Sequence, residues 1–188
     1  MPKLLVLFHS SAPDVITLAE AAADGARSVR FAEVDLRRLE ESDASTHATA
    51  ADTVGRAHRT LDRIENIATY DGLIVVLPAA GDATAIFMRT LETLGESLVD
   101  KVGSVVAAAE GAARTALLWS AFTPMADRGM ILVPAPFANT GALAGESARQ
   151  LGRRVAEVIG WVTHARSHHH HEPHQHDHHA DHTRETHM

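Results

Sequence analysis

The N-terminal stretch combines an apolar run, a short polar loop and the start of a helical pattern. Residues 4–8 are all apolar, residues 9–13 contain two serines and a proline, and from Asp14 onward apolar side chains recur at helical spacing. A strand, a loop and a helix N-terminus in this order form the unit from which open α/β sheets are built. In such sheets ligands bind beyond the carboxyl ends of the strands, and the helix N-terminus favours an anionic group such as a phosphate.

The same alternation of strand and helix patterns continues along the chain. The predicted strands cover residues 4–8, 29–35, 73–77, 104–108 and 130–133, and the predicted helices cover residues 14–27, 52–69, 84–98, 114–128 and 146–162. This alternation predicts an α/β protein, with a three-layer αβα flavodoxin-like fold around a five-stranded parallel sheet of order 2-1-3-4-5. The ligand crevice of such a sheet lies between its first and third strands.

Composition and charge exclude several classes of protein. The chain has 188 residues, no cysteine and a formal net charge of −7 at pH 7. The lack of cysteine excludes disulfides and thiolate metal sites, and the negative charge argues against general nucleic-acid binding. The first apolar run is too short for a signal peptide, and no run approaches the ~20 residues of a membrane helix. We therefore expect a cytoplasmic protein without membrane insertion, with one domain over residues 1–163.

Several short segments, taken together, resemble a known family. They are residues 5–10, 17–19, 70–74, 88–91 and 127–134, together with Pro78. In their order and spacing they resemble the flavodoxin-like NAD(P)H:quinone oxidoreductases of the tryptophan repressor-binding protein (WrbA) family. The resemblance implies FMN as the cofactor, NAD(P)H and a quinone as substrates, two-electron transfer, and assembly into a dimer or tetramer.

Positions that match the family's FMN loops are the candidate cofactor-binding residues. They are Ser10, Ser11, Thr17, Pro78, Ala79, Gly81 and Gly111. The loops depart from the family pattern in one direction, with fewer hydrogen-bond donors and more negative charge. Pro13 and Asp14 stand where the family has glycine and histidine, and Glu110 adds a carboxylate to the third loop. Proline removes an N–H donor, and Asp14, which we expect to cap the first helix, lies where a phosphate would bind.

The last part of the chain has a different composition. Ten of the fourteen histidines follow Ser167, and no apolar periodicity remains, so we expect a disordered tail over residues 164–188. Neutral imidazoles bind Zn²⁺, Ni²⁺ and Cu²⁺. The candidate metal ligands are His168, His169, His170, His171, His174, His176, His178, His179 and His182. An expression tag and a solvated, pH-responsive polyelectrolyte are the alternatives; the interrupted histidine run favours a native tail.

Two functions from different classes remain open. The first is an FMN-dependent NAD(P)H:quinone oxidoreductase, for which the sequence identifies no catalytic residue. The second is a flavin-free scaffold of the same fold whose histidine-rich tail binds or buffers a transition metal. The order and spacing of the matching segments favour the first function, whereas the altered loops favour the second.

Overall fold

A computed structural model describes residues 1–10, 12–39, 61, 64–135 and 143–169. The strands in this part of the chain are β1 (Lys3–Phe8), β2 (Glu33–Arg38), β3 (Gly72–Pro78), β4 (Val102–Ala108) and β5 (Ile131–Leu132). The α-helices are α1 (Pro13–Arg27), α2 (Ala83–Leu94), α3 (Gly111–Asp127) and α4 (Ala144–His169), and 3₁₀ helices cover Ile64–Thr69 and Gly95–Leu98.

All five strands run parallel in one sheet of order β2-β1-β3-β4-β5. This result confirms the predicted fold class and strand order. In the register of the sheet, Val6 of β1 lies between Leu36 of β2 and Ile74 of β3. The central strand β3 is buried from Gly72 to Leu77, because helices cover both faces of a parallel sheet.

Side chains of β1 divide the core into two layers. Leu4, Val6 and Phe8 pack in one hydrophobic cluster with buried residues of α1 and α4. Leu5 and Leu7 point to the other face and pack in a second cluster with buried residues of α2 and α3. Because successive strand residues alternate between faces, an apolar run without polar interruptions supplies both layers.

The second strand lies later in the chain than predicted. Residues 29–32 form the turn after α1, in which Phe31 has a left-handed φ of 68°. β2 then pairs with β1 from Glu33, opposite Lys3. The strand predicted at 29–35 therefore begins and ends too early, because pairing with β1 sets the register and local alternation does not reveal it.

Two segments that were predicted as α-helices contain 3₁₀ helices in the structure. The predicted helix at 84–98 is α-helical only to Leu94, because Gly95 takes a φ of 50° and the chain continues as a 3₁₀ helix. Of the predicted helix at 52–69, the part at Ile64–Thr69 is a 3₁₀ helix. Apart from residue 61, the rest of that prediction lies outside the described residues.

The helix predicted at 114–128 begins earlier, and proline does not end it. Helix α3 starts at Gly111 and continues past Pro124 to Asp127. Proline at this position lacks the N–H that would bond the carbonyl of Ser120, but Ser120 is exposed, so water can satisfy that carbonyl. The fifth strand, predicted at 130–133, is confined to Ile131–Leu132.

The last helix extends beyond its predicted end at residue 162. Helix α4 continues to His169, so residues 164–169, which we assigned to the tail, are helical. The guanidinium of Arg166 donates to the carbonyl of Asp100 at 2.7 Å and lies 3.6 Å from its carboxylate, which fastens this end of the helix to the turn before β4. Among the described helices, α4 included, none is long and apolar enough to cross a membrane.

Candidate functional site

The carboxyl ends of β1, β3 and β4 meet at one edge of the sheet. The pairing of β1 with β3 extends to Phe8, and the pairing of β3 with β4 extends to Pro78 and Ala108. We call the loops that follow these strands, residues 9–12, 79–82 and 109–110, the carboxyl-edge loops. Five predicted site residues lie in or beside them: Ser10, Pro78, Ala79, Gly81 and Gly111. Ser11 lies outside the described residues.

Two of the predicted site residues, Ser10 and Thr17, form hydrogen bonds with nearby backbone groups. The hydroxyl oxygen of Ser10 accepts the N–H of Ala12 at 3.0 Å. Thr17 lies one turn inside α1, and its hydroxyl donates to the carbonyl of Pro13 at 2.7 Å. Both predicted polar contacts therefore bond to the protein's own backbone.

The first helix begins at Pro13 and not at Asp14. Ala12 is the N-cap residue and Pro13 the first helical residue, so the predicted capping role of Asp14 is wrong. Proline suits this position because its φ is already helical and its missing N–H would have no partner there. Asp14 instead lies exposed in the first turn of α1, where its carboxylate faces the positive end of the helix.

The second and third carboxyl-edge loops are small and open. Gly81 and Gly111 have φ angles of 98° and 54°, and apart from chain neighbours and the helix backbone of Gly111, no described heavy atom lies within 4 Å of a Cβ built on either. Residues 79–82 are exposed, as are Glu110 and Gly111. A flat group can therefore approach the backbone of both loops without displacing a side chain.

A cavity of about 280 Å³ opens between the N-terminal ends of α1, α3 and α4. Asp14, Glu110, Arg114 and Ser147 line it, and the rest of its wall is aliphatic. The two carboxylates and one guanidinium leave the polar part of the wall with a net negative charge. Arg114 and Ser147 were not among the predicted site residues. Arg114 could have been found from the sequence, because it is the first basic residue after the third loop. Ser147 comes to this cavity only through the packing of α4 on α1.

His9 follows β1 directly and binds the end of the neighbouring strand. Its Nδ1–H donates to the carbonyl of Leu39, just after β2, at 2.7 Å. A carbonyl oxygen only accepts hydrogen bonds, so this contact assigns the hydrogen to Nδ1. The ring also lines a small void with Phe87 of α2. These contacts give His9 a structural role at the top of β1 and β2.

Solved structures share this architecture. A flavodoxin, WrbA-like protein from Agrobacterium tumefaciens aligns with a TM-score of 0.60 and 19% identity, over 86% of this chain and 99% of that chain. A flavone reductase aligns with a TM-score of 0.60 and 17% identity, over 87% of this chain and 65% of that chain. At these identities the likeness concerns the fold alone. No protein-family model matches the chain.

A relative in sequence shows the family. NAD(P)H dehydrogenase (quinone) of Acidithiobacillus ferrooxidans is 34% identical to this chain, in an alignment that covers 74% of each protein. The chain belongs to the NAD(P)H dehydrogenase (quinone) family. This membership confirms the resemblance to flavodoxin-like NAD(P)H:quinone oxidoreductases that the sequence segments indicated.

For a member of the NAD(P)H dehydrogenase (quinone) family, the carboxyl-edge loops can be tested against FMN in two parts. The ring needs an open, flat approach, and the exposed backbone around Gly81 and Gly111 offers one. The phosphate needs several N–H or cationic donors. In the first loop the N–H of Ala12 is already bonded to Ser10, Pro13 has no N–H, and Asp14 adds a negative charge. The described part of the edge therefore offers the flavin ring an open surface, and it offers the phosphate fewer donors and an added negative charge.

The predicted metal ligands lie at or beyond the end of the structure. His168 and His169 are the last two residues of α4, and the other seven lie outside the described residues. Within the described part of the chain no three His, Asp or Glu side chains are grouped so that they could hold a metal ion. One further histidine, His164, lies on α4 four residues before His168 and was not among the predicted metal ligands, although its spacing is visible in the sequence.

Proposed function

We propose that this chain is a flavin-dependent NAD(P)H:quinone oxidoreductase that holds FMN at its carboxyl-edge loops. The observation that carries the proposal is the 34% identity to NAD(P)H dehydrogenase (quinone) over most of both proteins. The open loops at the carboxyl ends of β1, β3 and β4 support it, because ligands of this fold bind at that edge.

The chain's own residues would bind and orient the ring. The backbone after Pro78, at Ala79 and Gly81, and the turn at Gly111 form the surfaces that the ring would contact. Small side chains at these positions leave room for a nicotinamide or a quinone beside it. A bound flavin supplies the two-electron chemistry, for which the protein needs no nucleophile of its own. The proposal accordingly names binding residues and no catalytic residue.

The visible absorption spectrum tests this proposal. The full chain is purified from cells, mixed with FMN, desalted gently and scanned, and then supplied with NADH or NADPH and a quinone. We expect flavin bands near about 370 and 450 nm in the presence of FMN, and NAD(P)H oxidation that requires both flavin and quinone. A protein that neither perturbs the flavin spectrum nor oxidises NAD(P)H would contradict the proposal.

A second function, metal binding by the tail, is favoured by the length of α4. Because the helix reaches His169, positions 164 and 168 are four residues apart in one helix, the spacing at which two residues share a face. We propose that His164 and the histidine run from His168 bind a divalent transition metal such as Ni²⁺ or Zn²⁺.

Calorimetric titration of the full chain with Ni²⁺ tests the tail. Replacing His168, His169, His170 and His171 by glutamine should remove the tightest binding event, whereas His9→Gln, in the folded domain, should leave it unchanged. Equal metal binding by the glutamine variant and the unaltered chain would contradict the proposal.

We also infer a homo-oligomer, a dimer or tetramer, in the cytoplasm. The family resemblance implies assembly. In addition, the side chain of Trp119 is 68% exposed on α3, a helix whose single charged residue before Asp127 is Arg114. Sedimentation velocity of Trp119→Arg should show a smaller species than the unaltered chain. Trp161→Arg, on α4 and equally exposed, is the matched control. A monomeric unaltered chain would contradict the inference.

A further inference from the structure

We infer that the terminal phosphate of FMN adds no net affinity in this chain, so that riboflavin binds at least as tightly as FMN. The inference rests on the proposed function, because it concerns the flavin at the same carboxyl-edge loops. It follows from the hydrogen bonds and charges of the first loop and of the cavity beside it.

In the described part of the first loop, which does not include Ser11, several hydrogen-bonding groups are already bonded within the protein. The Ala12 N–H is bonded to Ser10, and the Thr17 hydroxyl hydrogen is bonded to the carbonyl of Pro13. Pro13 contributes no N–H at the first position of α1. The described donors that remain for a phosphate here are the Ser10 hydroxyl, which accepts from Ala12 and can still donate its own hydrogen, and the N–H groups of the first turn of α1.

Charge at this end of α1 is also unfavourable. A helix N-terminus carries the equivalent of about +0.5 elementary charge, and the full negative charge of Asp14 lies in the same turn. Residues 9–17, 79–83 and 107–113 contain no lysine or arginine. The nearest basic residue along the third loop, Arg114, lines the same cavity as two carboxylates, Asp14 and Glu110. The charged side chains that a phosphate would meet here are therefore two carboxylates and one guanidinium, and the partial positive charges of the helix N-termini oppose their net negative charge.

The flavin ring would bind at other residues than the phosphate, so the bonds and charges of the first loop do not affect it. The open backbone at Gly81 lies in the second loop, that at Gly111 directly follows the third loop, and a flavin ring is uncharged. Loss of phosphate affinity therefore leaves ring binding intact, and the balance shifts toward the flavin without a phosphate.

Fluorescence titrations of riboflavin and of FMN with the full chain compare the two ligands directly, since both have the same chromophore. We expect an FMN dissociation constant equal to or larger than that of riboflavin at low salt. Added NaCl should tighten FMN binding by screening repulsion and leave riboflavin binding unchanged. FMN bound more tightly than riboflavin by about twofold or more, or FMN binding weakened by salt, would overturn the inference.

Three variants test which residues set the affinity for FMN relative to riboflavin. Asp14→Asn should tighten FMN binding about two- to fivefold at low salt and leave riboflavin binding unchanged. Asp24→Asn, at the opposite end of the same helix, is the matched control and should change neither. Arg114→Gln should not weaken FMN binding relative to riboflavin; a selective loss of FMN affinity would identify Arg114 as a phosphate anchor and overturn the inference.

The outcomes separate this inference from the proposed function. A chain that binds riboflavin, and binds FMN much more tightly, keeps the proposed function and overturns the inference alone. A chain that binds neither flavin overturns both.

Discussion

Gly25 of α1 packs directly against the carbonyl oxygen of Arg149 in α4. A Cβ built on Gly25 would fall 1.8 Å from that oxygen, and a Cβ on Gly152 of α4 would fall 1.9 Å from the carbonyl oxygen of Ala22 in α1. The two helix backbones therefore approach each other as closely as glycine allows. Since both helices line the cavity beside the first loop, this contact positions the wall of the candidate site.

Alanine at Gly152 should destabilise the protein. Alanine normally improves a helix by up to about 1 kcal/mol over glycine, but here its Cβ would push α4 away from Ala22. We expect a loss of about 2–4 kcal/mol in the free energy of unfolding, measured by urea denaturation. Gly160→Ala is the control on the same helix: outside its own helix backbone no described atom lies within 4 Å of a Cβ built there, so this variant should be as stable as the parent or more so. Equal effects of the two substitutions would contradict the packing argument.

The hydroxyl of Tyr70 donates to the carboxylate of Asp35 in β2 at 2.6 Å. Burial, together with this hydrogen bond, raises the pKa of Tyr70 to about 12. An unfolded tyrosine has a pKa of about 10, so the folded protein holds the Tyr70 proton more tightly than the unfolded chain does. The free energy of unfolding should therefore fall as the pH rises from about 10 to 12. Tyr70→Phe should remove that part of the pH dependence and cost about 1 kcal/mol at neutral pH.

Phenolate absorbance reads this pKa directly, because Tyr70 is the single tyrosine of the chain. Asp35→Asn keeps a hydrogen-bond acceptor and removes the charge, so it should lower the pKa of Tyr70 without returning it to the ordinary value. A tyrosine that titrates at its ordinary pKa in the unaltered, folded protein would contradict this account.

Ser104 attaches the short edge strand to the sheet. Its buried hydroxyl donates to the carbonyl of Val133 at 2.6 Å, just beyond the last residue of β5. Ser104→Ala should leave that buried carbonyl without this partner and lower the free energy of unfolding by about 1–3 kcal/mol. Ser120→Ala, which removes an exposed hydroxyl on α3, should change stability by less than about 0.5 kcal/mol. Similar losses in the two variants would argue against a structural role for Ser104.

A bulky side chain at Ala79 should block the flavin ring. Ala79 is exposed in the second carboxyl-edge loop, so Ala79→Trp should fold normally and fill the space that the ring would use. We expect riboflavin affinity to fall on the order of tenfold, ~1.4 kcal/mol, in the fluorescence titration. Ala126→Trp, exposed near the other end of α3, is the control. Unchanged affinity in the Ala79 variant would place the flavin elsewhere.

Sequence patterns predicted most of the fold because the signals for it are local. The uninterrupted apolar runs at β1 and β3 indicate strands buried on both faces, and helical periodicity indicates α1. The position of β2 was missed because its register depends on pairing with β1. The end of α4 was missed because Arg166 reaches Asp100, far away in the sequence.

For the candidate site, too, some properties follow from the sequence and others only from the tertiary structure. Sequence alone determined that loops follow β1, β3 and β4, and that Pro13, Asp14 and Glu110 reduce their donors and add negative charge. Only the tertiary structure decided that Arg114 and Ser147 join Asp14 at one cavity. The physical reason is distance along the chain: residue type sets charge and donor number locally, whereas partners and cavities depend on which helices pack together.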